Sequence, residues 1–582
     1  LRGMSATLTP QTGSQASSRA AAPRLRYFYN GNILTMNPAV PHSPHMLLAG
    51  DRIWHCDPEA RPFGLDFRDS AFASTRRQLS GEVQFIDLGG RTVIPGLVDS
   101  HVHFMWWAVE LANADLREAR SEEEAVEMLR RHVKEYGIAP GEWIIGAGWS
   151  HNLWDRPALP SRDSLDAAFP DNPVFLGSKC RHLAWVNSAA LAAAGVTVDT
   201  PDPAGGEIER TGEGTARRLT GILKENAADL VERAIGEPGE EALYRALKRG
   251  QELAHSLGIT GMQTPESLHT WGFLQRAHEA GLLTMRINFW IREALESLEA
   301  LRIRHGLGDD RLRIGAVKLF ADGSLGGRTA QMYEPYEGEP DNRGIVVNDL
   351  ETIIDITLRA NRIGLSMAIH AIGDEAVGNV LTAYEKAAAE MAGRPAGMAP
   401  PVRNRIEHLQ VFSPRDLDRI RALKPIASMQ PVHLCADMGP ADRFWGARSR
   451  WAYACRTLAD AGCLLAFGSD APVEPINPFY GLYAAVTRMT LDGSGPEGGW
   501  HPEEKLTIEE ALAGYTINPA VASGQEKDLG SLAPGKLADF VILDEDPTRV
   551  SPQTVRDMTP QATYSGGECV FATEEWRERT EG

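Results

Sequence analysis

Apolar positions follow two rhythms along this chain. From residue 240 onward, segments with apolar residues every three to four positions alternate with short, continuous apolar runs, which predicts helix and buried strand in repeated succession. The helical segments are 240–257, 268–280, 294–305, 350–363, 375–391, 414–423 and 451–461, and the strands are 259–263, 284–290, 312–320, 365–370, 403–408, 425–430 and 464–469. An earlier apolar run, 92–98, broken only by Pro95-Gly96, supplies one more strand. Eight strands with helices between them predict an α/β protein built on a closed (β/α)8 barrel of the TIM type. A doubly wound open sheet is the alternative, but nothing in that architecture requires this count.

The flanks read differently. Residues 26–36 predict strand, turn and strand about Asn30-Gly31, and 46–54 and 83–88 add short strands. After a helix at 507–515, two strands flank the Pro534-Gly535 turn and a third lies at 568–572. Pairing these ends gives a discontinuous β-sandwich from residues 25–92 and 526–582, beside a barrel domain of 93–525. Residues 110–235 form a large insertion after the first barrel strand. In it Ser121 and Glu124 make a capping box opening a helix to about Tyr136, strands are expected at 142–147 and 173–177, a helix opens at 184–188, and 201–214 is an acidic Gly/Pro loop. Long connections in compact domains are commonly functional, so this insertion is read as a lid. Residues 1–24, rich in Ser, Ala, Thr and Gln and without an apolar signal core, are expected to be disordered.

Composition narrows the function. The 582 residues are 43% hydrophobic and 24% charged, which is ordinary for a globular enzyme with a large core. The net charge of −19 argues against nucleic acid or an anionic membrane as partner and leaves a small-molecule substrate. No apolar run is long enough to span a membrane. The 6 cysteines are scattered, with no C-x-x-C pair, which fits a reduced, cytoplasmic protein. A homodimer is the base-rate expectation for assembly.

Barrel enzymes do their chemistry at the C-terminal ends of the strands. The polar residues ending the predicted strands are His101 and His103 after the first, Lys318 on the fourth, His370 after the fifth, His408 after the sixth and Asp470 after the eighth. His101 and His103 have the i, i+2 spacing that puts two side chains on one face of a strand. Any one of these residues is explained as a satisfied polar group. Together, in this order, four histidines and an aspartate make the ligand set of a divalent metal site, zinc above all.

Longer motifs carry a resemblance. Val317-Lys-Leu-Phe-Ala-Asp-Gly-Ser-Leu-Gly-Gly-Arg-Thr-Ala330, Ala368-Ile-His-Ala-Ile-Gly-Asp-Glu-Ala376, Gly468-Ser-Asp-Ala-Pro-Val473, Gly206-Glu-Ile-Glu209, Thr220-Gly-Ile-Leu-Lys-Glu225 and Gly535-Lys-Leu-Ala-Asp539 resemble the amidohydrolase superfamily. Within it they look like amidohydrolase family 3, the branch with N-substituted formamide deformylase-like proteins. The resemblance implies one or two zinc ions, or another divalent metal. His101, His103 and Asp470 would hold the more buried ion and His370 and His408 the second, with a carbamylated Lys318 bridging them. A plain ammonium has no acceptor and cannot ligate a cation. The alternative is an unmodified Lys318 paired with Asp322 and a single metal. The implied reaction is hydrolysis of an amide-type C–N bond by metal-activated water, with Asp470 as general base and then acid. A deaminase, lactonase or isomerase, or a catalytically silent binding protein, can use the same scaffold.

Further residues are candidates on position alone. Arg328 could hold a carboxylate or polarised oxygen, or form a structural ion pair. Asp374 could orient a ligand or cap its helix. Trp106, Trp107, Trp149 and Trp154 could wall a pocket or fill a core, and His182 and His433 could touch substrate.

Overall fold

The computed structural model describes residues 25–581 apart from 60–82, 112, 152–153, 179–182, 204–205, 213, 237, 293 and 394–401. The disorder expected over 1–24, and His182, lie outside the described residues.

At the centre stand eight parallel strands in sequence order: β1 (Leu97–Asp99), β2 (Ile259–Glu266), β3 (Arg286–Ile291), β4 (Leu312–Phe320), β5 (Ser366–Ala371), β6 (Arg405–His408), β7 (Ile426–Met429) and β8 (Leu465–Phe467). Each pairs with its predecessor, and nearly every residue of these strands is buried, as strands covered on both faces must be. Beyond the strand ends β8 meets β1. The Ser100 amide donates to the Phe467 carbonyl at 2.9 Å, the Asp470 amide to His101 at 2.7 Å and the His103 amide to Ala471 at 2.9 Å. Gly468 permits this approach, since a Cβ there would lie 2.5 Å from the His101 nitrogen and 2.6 Å from an Asp99 oxygen. Helices Glu240–Ser256, Leu268–Glu279, Leu295–Leu301, Leu350–Ile363, Asp374–Ala392, Leu417–Leu423 and Cys455–Asp460 separate the strands, close to where the 3.6-residue rhythm places them.

The run 92–98 divides between two sheets. Thr92–Pro95 belongs to a six-stranded sheet, Leu97–Asp99 to the barrel, and Gly96 is the joint. At Gly96 a Cβ would lie 2.3 Å from the Thr260 hydroxyl of β2, so only glycine lets the chain step from one sheet to the other. The six-stranded sheet runs Glu568–Ala572, Ala562–Ser565, Phe540–Leu543, Thr92–Pro95, Asn32–Leu34, His42–Ser43. It shares a core, including Phe28, Ile86, Val93, Phe540 and Trp576, with a four-stranded sheet of Arg52–His55, Met46–Ala49, Leu25–Tyr29 and Val83–Asp87. The sandwich thus draws on both ends of the chain. The hairpin expected at Asn30-Gly31 is not formed. Leu25–Tyr29 pairs with Met46–Ala49 and Val83–Asp87, whereas Asn32–Leu34 pairs with His42–Ser43 and Thr92–Pro95 in the other sheet. Asn30, at φ 58°, turns the chain between sheets instead of between partners.

After β1 the chain leaves the barrel for a separate six-stranded mixed sheet, ordered Gly206–Thr211, Arg218–Glu225, Leu183–Val186, Val174–Ser178, Ile144–Trp149, Ala114–Asp115. Here too the structure corrects the sequence reading. Residues 183–186 are a strand, with the helix starting only at Ser188, and much of the expected loop at 201–214 is the strand Gly206–Thr211. Buried Ile208, Leu219 and Leu223 explain both, because they supply an apolar face that the acidic residues between them obscure. Helix Glu122–Tyr136 does begin at Ser121, whose hydroxyl accepts from the Glu124 amide at 3.1 Å, while the Glu124 carboxylate takes the Arg120 amide. No helix among the described residues is long and apolar enough to cross a membrane.

Candidate functional site

A cavity of about 330 Å³ opens at the C-terminal ends of the barrel strands, lined by His101, His103, Lys318, His370, His408 and Asp470 together. The geometry follows from the strand ends. β1 stops at Asp99, whose carboxylate accepts from the His101 amide at 3.1 Å and from the Ser469 hydroxyl at 2.6 Å, tying the end of β1 to the end of β8. Burial pushes the Asp99 carboxyl up to about 7, against the pull of those donors. His408 and Asp470, at φ 72° and 58°, occupy the left-handed region that non-glycine residues avoid. Such strain collects where a site demands a particular side-chain direction.

Each buried imidazole spends one ring nitrogen on an acceptor. His101 Nδ1 meets Glu407 Oε2 at 2.5 Å, His370 Nε2 meets the Gly323 carbonyl at 2.8 Å, and His408 Nδ1 meets Gln430 Oε1 at 2.8 Å. A proton on those nitrogens leaves the opposite nitrogen of each ring with a free lone pair, the tautomer a metal ligand needs. Burial, and the Lys318 charge beside them, lower His101 to about 4 and His370 to about 3, and burial with neighbouring His370 holds His408 well below the ordinary imidazole value, so all three are neutral. Glu407 is fully buried. Burial opposes its ionisation, but Arg405, His101 and Lys318 outweigh it and hold the carboxyl at about 2. Arg405 donates to Glu407 at 2.5 Å and lies 4.4 Å over the Trp290 ring, so the pair forms a polar floor under His101.

Ligand atoms gather in two groups, His101 with His103 and Asp470, and His408 with His433 and Asp470, each within 4.8 Å. Asp470 Oδ1 lies 3.5 Å from His101 Nε2 and 3.3 Å from His103 Nε2. Burial works against the Asp470 carboxylate, but His103 beside it gives the largest opposing pull, and the group stays ionised. Buried Asp470 Oδ1 and His433 Nε2 have no hydrogen-bond partner. Orphaned buried polar atoms are rare, and two of them beside neutral imidazoles with free lone pairs fit a divalent cation. Lys318 is buried, its Nζ 3.5 Å from His101 Nε2 and 4.8 Å from the Phe320 ring centre. Burial lowers it to about 8 although Glu407 and Asp470 pull upward, so about a tenth is neutral amine at pH 7 and about half at pH 8. Asp322 is not its partner. It accepts the Gln331, Ile372 and Gly373 amides and lies 3.4 Å from His370 Nε2.

The other candidates separate. His433 joins the cavity wall, its ring stacked 6.3 Å from His408. Trp106 lies beside the site, 5.4 Å ring to ring from His103, but is 48% exposed and ties to Glu110. Three other candidates are not among the lining residues. Arg328 pairs with Glu339 on its own loop. Asp374 starts helix Asp374–Ala392 and accepts the Tyr333 amide at 2.9 Å. Trp149 is fully buried in the insertion with Trp154 and Trp185, its indole N–H on the Leu176 carbonyl. Glu407, Gln410, Gln430, Asp437 and Glu474 were not singled out from the sequence. Only Glu407, next to His408 at the end of the strand Arg405–His408, carried a readable signal.

Comparison with known proteins follows this geometry. The sequence profile described as "Amidohydrolase family" matches residues 84–571. YtcJ of Bacillus subtilis (strain 168) is 33% identical over 505 residues, covering 84% of this chain and 91% of that protein. N-substituted formamide deformylase of Arthrobacter pascens is 28% identical over 565 residues, covering 92% and 96%. The crystal structure of an uncharacterized metal-dependent hydrolase from Pyrococcus furiosus aligns with a TM-score of 0.71 at 30% identity, over 90% of this chain and 100% of that one. With a profile match over most of its length and relatives aligned almost end to end, this chain belongs to the amidohydrolase family.

Proposed function

We propose that this protein is a metal-dependent hydrolase of an amide-type C–N bond in N-acyl or N-formyl amines. The observation that carries the reading is the set of three neutral imidazoles, each with one nitrogen fixed by an acceptor, lining one cavity with an Asp470 oxygen that has no hydrogen-bond partner. The kinship with N-substituted formamide deformylase favours amide substrates. His101, His103 and Asp470 would hold one cation, and His370 and His408 a second, with zinc the ion best matched to this donor set. A cation bound there supplies Lewis acidity, lowering the pKa of water and polarising a carbonyl oxygen.

The chain's own groups do the rest. Glu407 fixes the His101 ring and Gln430 the His408 ring, so their free nitrogens face the cavity before substrate arrives. The neutral amine of Lys318 can add to the carbon of CO2, forming an N–C bond and losing a proton, which turns a repelled cation into an oxygen ligand. Asp470 accepts a proton from the attacking water and returns it to the departing nitrogen, so the bond breaks to acid and amine. The test is metal analysis of purified protein with a turnover screen of N-formyl and N-acyl amines. Zinc at one to two equivalents per chain and release of formate or acid with amine are expected. Protein that takes up no divalent metal would overturn the reading, and release of ammonia would redirect it to a deaminase.

A further inference from the structure

Away from the histidines the cavity wall is acidic. His433 precedes helix Leu434–Trp445, and Asp437 lies one turn further on, the spacing that puts both on one face. Glu474 sits four residues past Asp470 in the loop after β8. Both carboxylates line the cavity, and Lys318, at its opposite chemical pole beside His101, is the one lysine or arginine among the described lining residues. Asp437 has one bond, from the Tyr453 hydroxyl at 2.5 Å. Among the described residues nothing bonds or pairs with Glu474. Burial raises both carboxyls, against the pull of the Tyr453 hydroxyl on Asp437 and of nearby His433 on Glu474.

A second, independent observation points to a ligand that donates hydrogen bonds. Gln410 lines the same cavity, is 4% exposed, and its side-chain oxygen Oε1 has no partner. Tyr453 joins these groups, donating its amide to the Gln410 carbonyl at 2.7 Å and its hydroxyl to Asp437. Asp437, Glu474 and Gln410 thus offer three acceptor groups, with the Gln410 amide nitrogen the one donor among them. A metal ion is a poor occupant, because neither carboxylate belongs to a group of three ligand atoms close enough to hold one. An ammonium group brings three N–H donors and a positive charge. Phe320, Leu325 and Val473 provide apolar wall for an alkyl stem.

We propose that Asp437, Glu474 and Gln410 form a subsite for an alkylammonium group, so that the preferred substrate is an N-acyl or N-formyl amine whose amine half carries a second, charged nitrogen. This rests on the hydrolase reading above for the position of the scissile bond. The chain's net charge of −19 favours approach of such a cation.

The test pairs two isosteres, N-formyl-1,5-diaminopentane and N-formylhexylamine, which differ by ammonium against methyl. Their affinities for zinc-loaded full-length Asp470→Asn protein are measured by calorimetry, and wild-type turnover is followed separately. The ammonium compound is expected to bind about 10-fold more tightly or better, and Glu474→Gln to shrink that preference to within about threefold. Glu474 has no partner to lose, so this variant should keep the wild-type thermal midpoint. Asp437→Asn repeats the test from the other side of the subsite. Equal affinity, tighter binding of the neutral compound, or no detectable binding of either overturns the proposal. Preference in binding with no hydrolysis of either compound sinks the hydrolase reading and leaves the subsite standing.

Discussion

The barrel mouth and the insertion both bury side-chain amides, Gln410 and Gln430 in the first and Asn172 and Asn187 in the second, and they leave them unequally satisfied. In the insertion, fully buried Asn187 uses its whole amide. Its oxygen accepts the Val174 and Ala190 amides, and its nitrogen donates to the Phe169 and Asn172 carbonyls. Asn172 in turn donates to Ala139 and Glu142. At the mouth, Asp470 Oδ1, His433 Nε2, Gln410 Oε1 and Gln430 Nε2 have no partner. A satisfied buried amide organises a fold, whereas an unsatisfied one costs free energy that only a ligand returns. The contrast separates residues kept for architecture from residues kept for chemistry.

Substitutions should pull the two regions apart. The largest effect is expected at the mouth. Asp470→Asn should lower turnover of the best N-formyl amine by about 10²–10⁴-fold, with circular dichroism unchanged. In the insertion, Asn187→Ala should do the reverse. It strands the Val174 and Ala190 amides and the Asn172 carbonyl and should cost about 2–4 kcal/mol in denaturant unfolding, while metal content per folded chain stays at the wild-type value. A smaller, pH-dependent effect is expected at His255, where the barrel meets the sandwich. Its Nδ1 donates to the Ile259 carbonyl and its Nε2 faces the Thr284 hydroxyl, and burial lowers it to about 4 from 6.5. The unfolded chain takes up this proton near pH 6.5 and the folded chain only near 4. Stability is therefore complete above that window and falls as pH drops through it, by roughly 1.4 kcal/mol per unit from this group. Thermal midpoints at pH 7 and 5 should differ less in His255→Gln than in the wild type. The smallest effect is expected at Arg328, where alanine should change kcat/KM less than about threefold and stability by under about 1 kcal/mol, because its pair with Glu339 is largely solvated. A large loss of turnover there would return Arg328 to the site.

Legibility in the sequence followed the same divide. Barrel strands announce themselves because a strand buried on both faces is a continuous apolar run, and the residue that breaks the run marks the mouth. His370 and Asp470 were readable for that reason. Arg328 and Asp374 lie close in sequence to Lys318 and His370 but point elsewhere, since a loop hides the direction of its side chains. Glu407 acts on His101 from far along the chain, through a contact that only the closed barrel creates. The Asn30-Gly31 turn misled for a similar reason. A local turn signal does not say which sheet each arm enters.

The joint at Gly96 bears on how the protein is made. Thr92–Pro95 is clamped by Phe540–Leu543, and the buried Arg286–Asp539 pair, at 2.6 and 2.8 Å, fastens the same C-terminal segment to β3. On the ribosome, His101 and His103 emerge early, yet the strand that anchors their approach is translated near the other end of the chain. A nascent polypeptide halted before Phe540 has every proposed ligand but not the brace that sets the first two, so metal capture should come late in biogenesis, as one of its closing events.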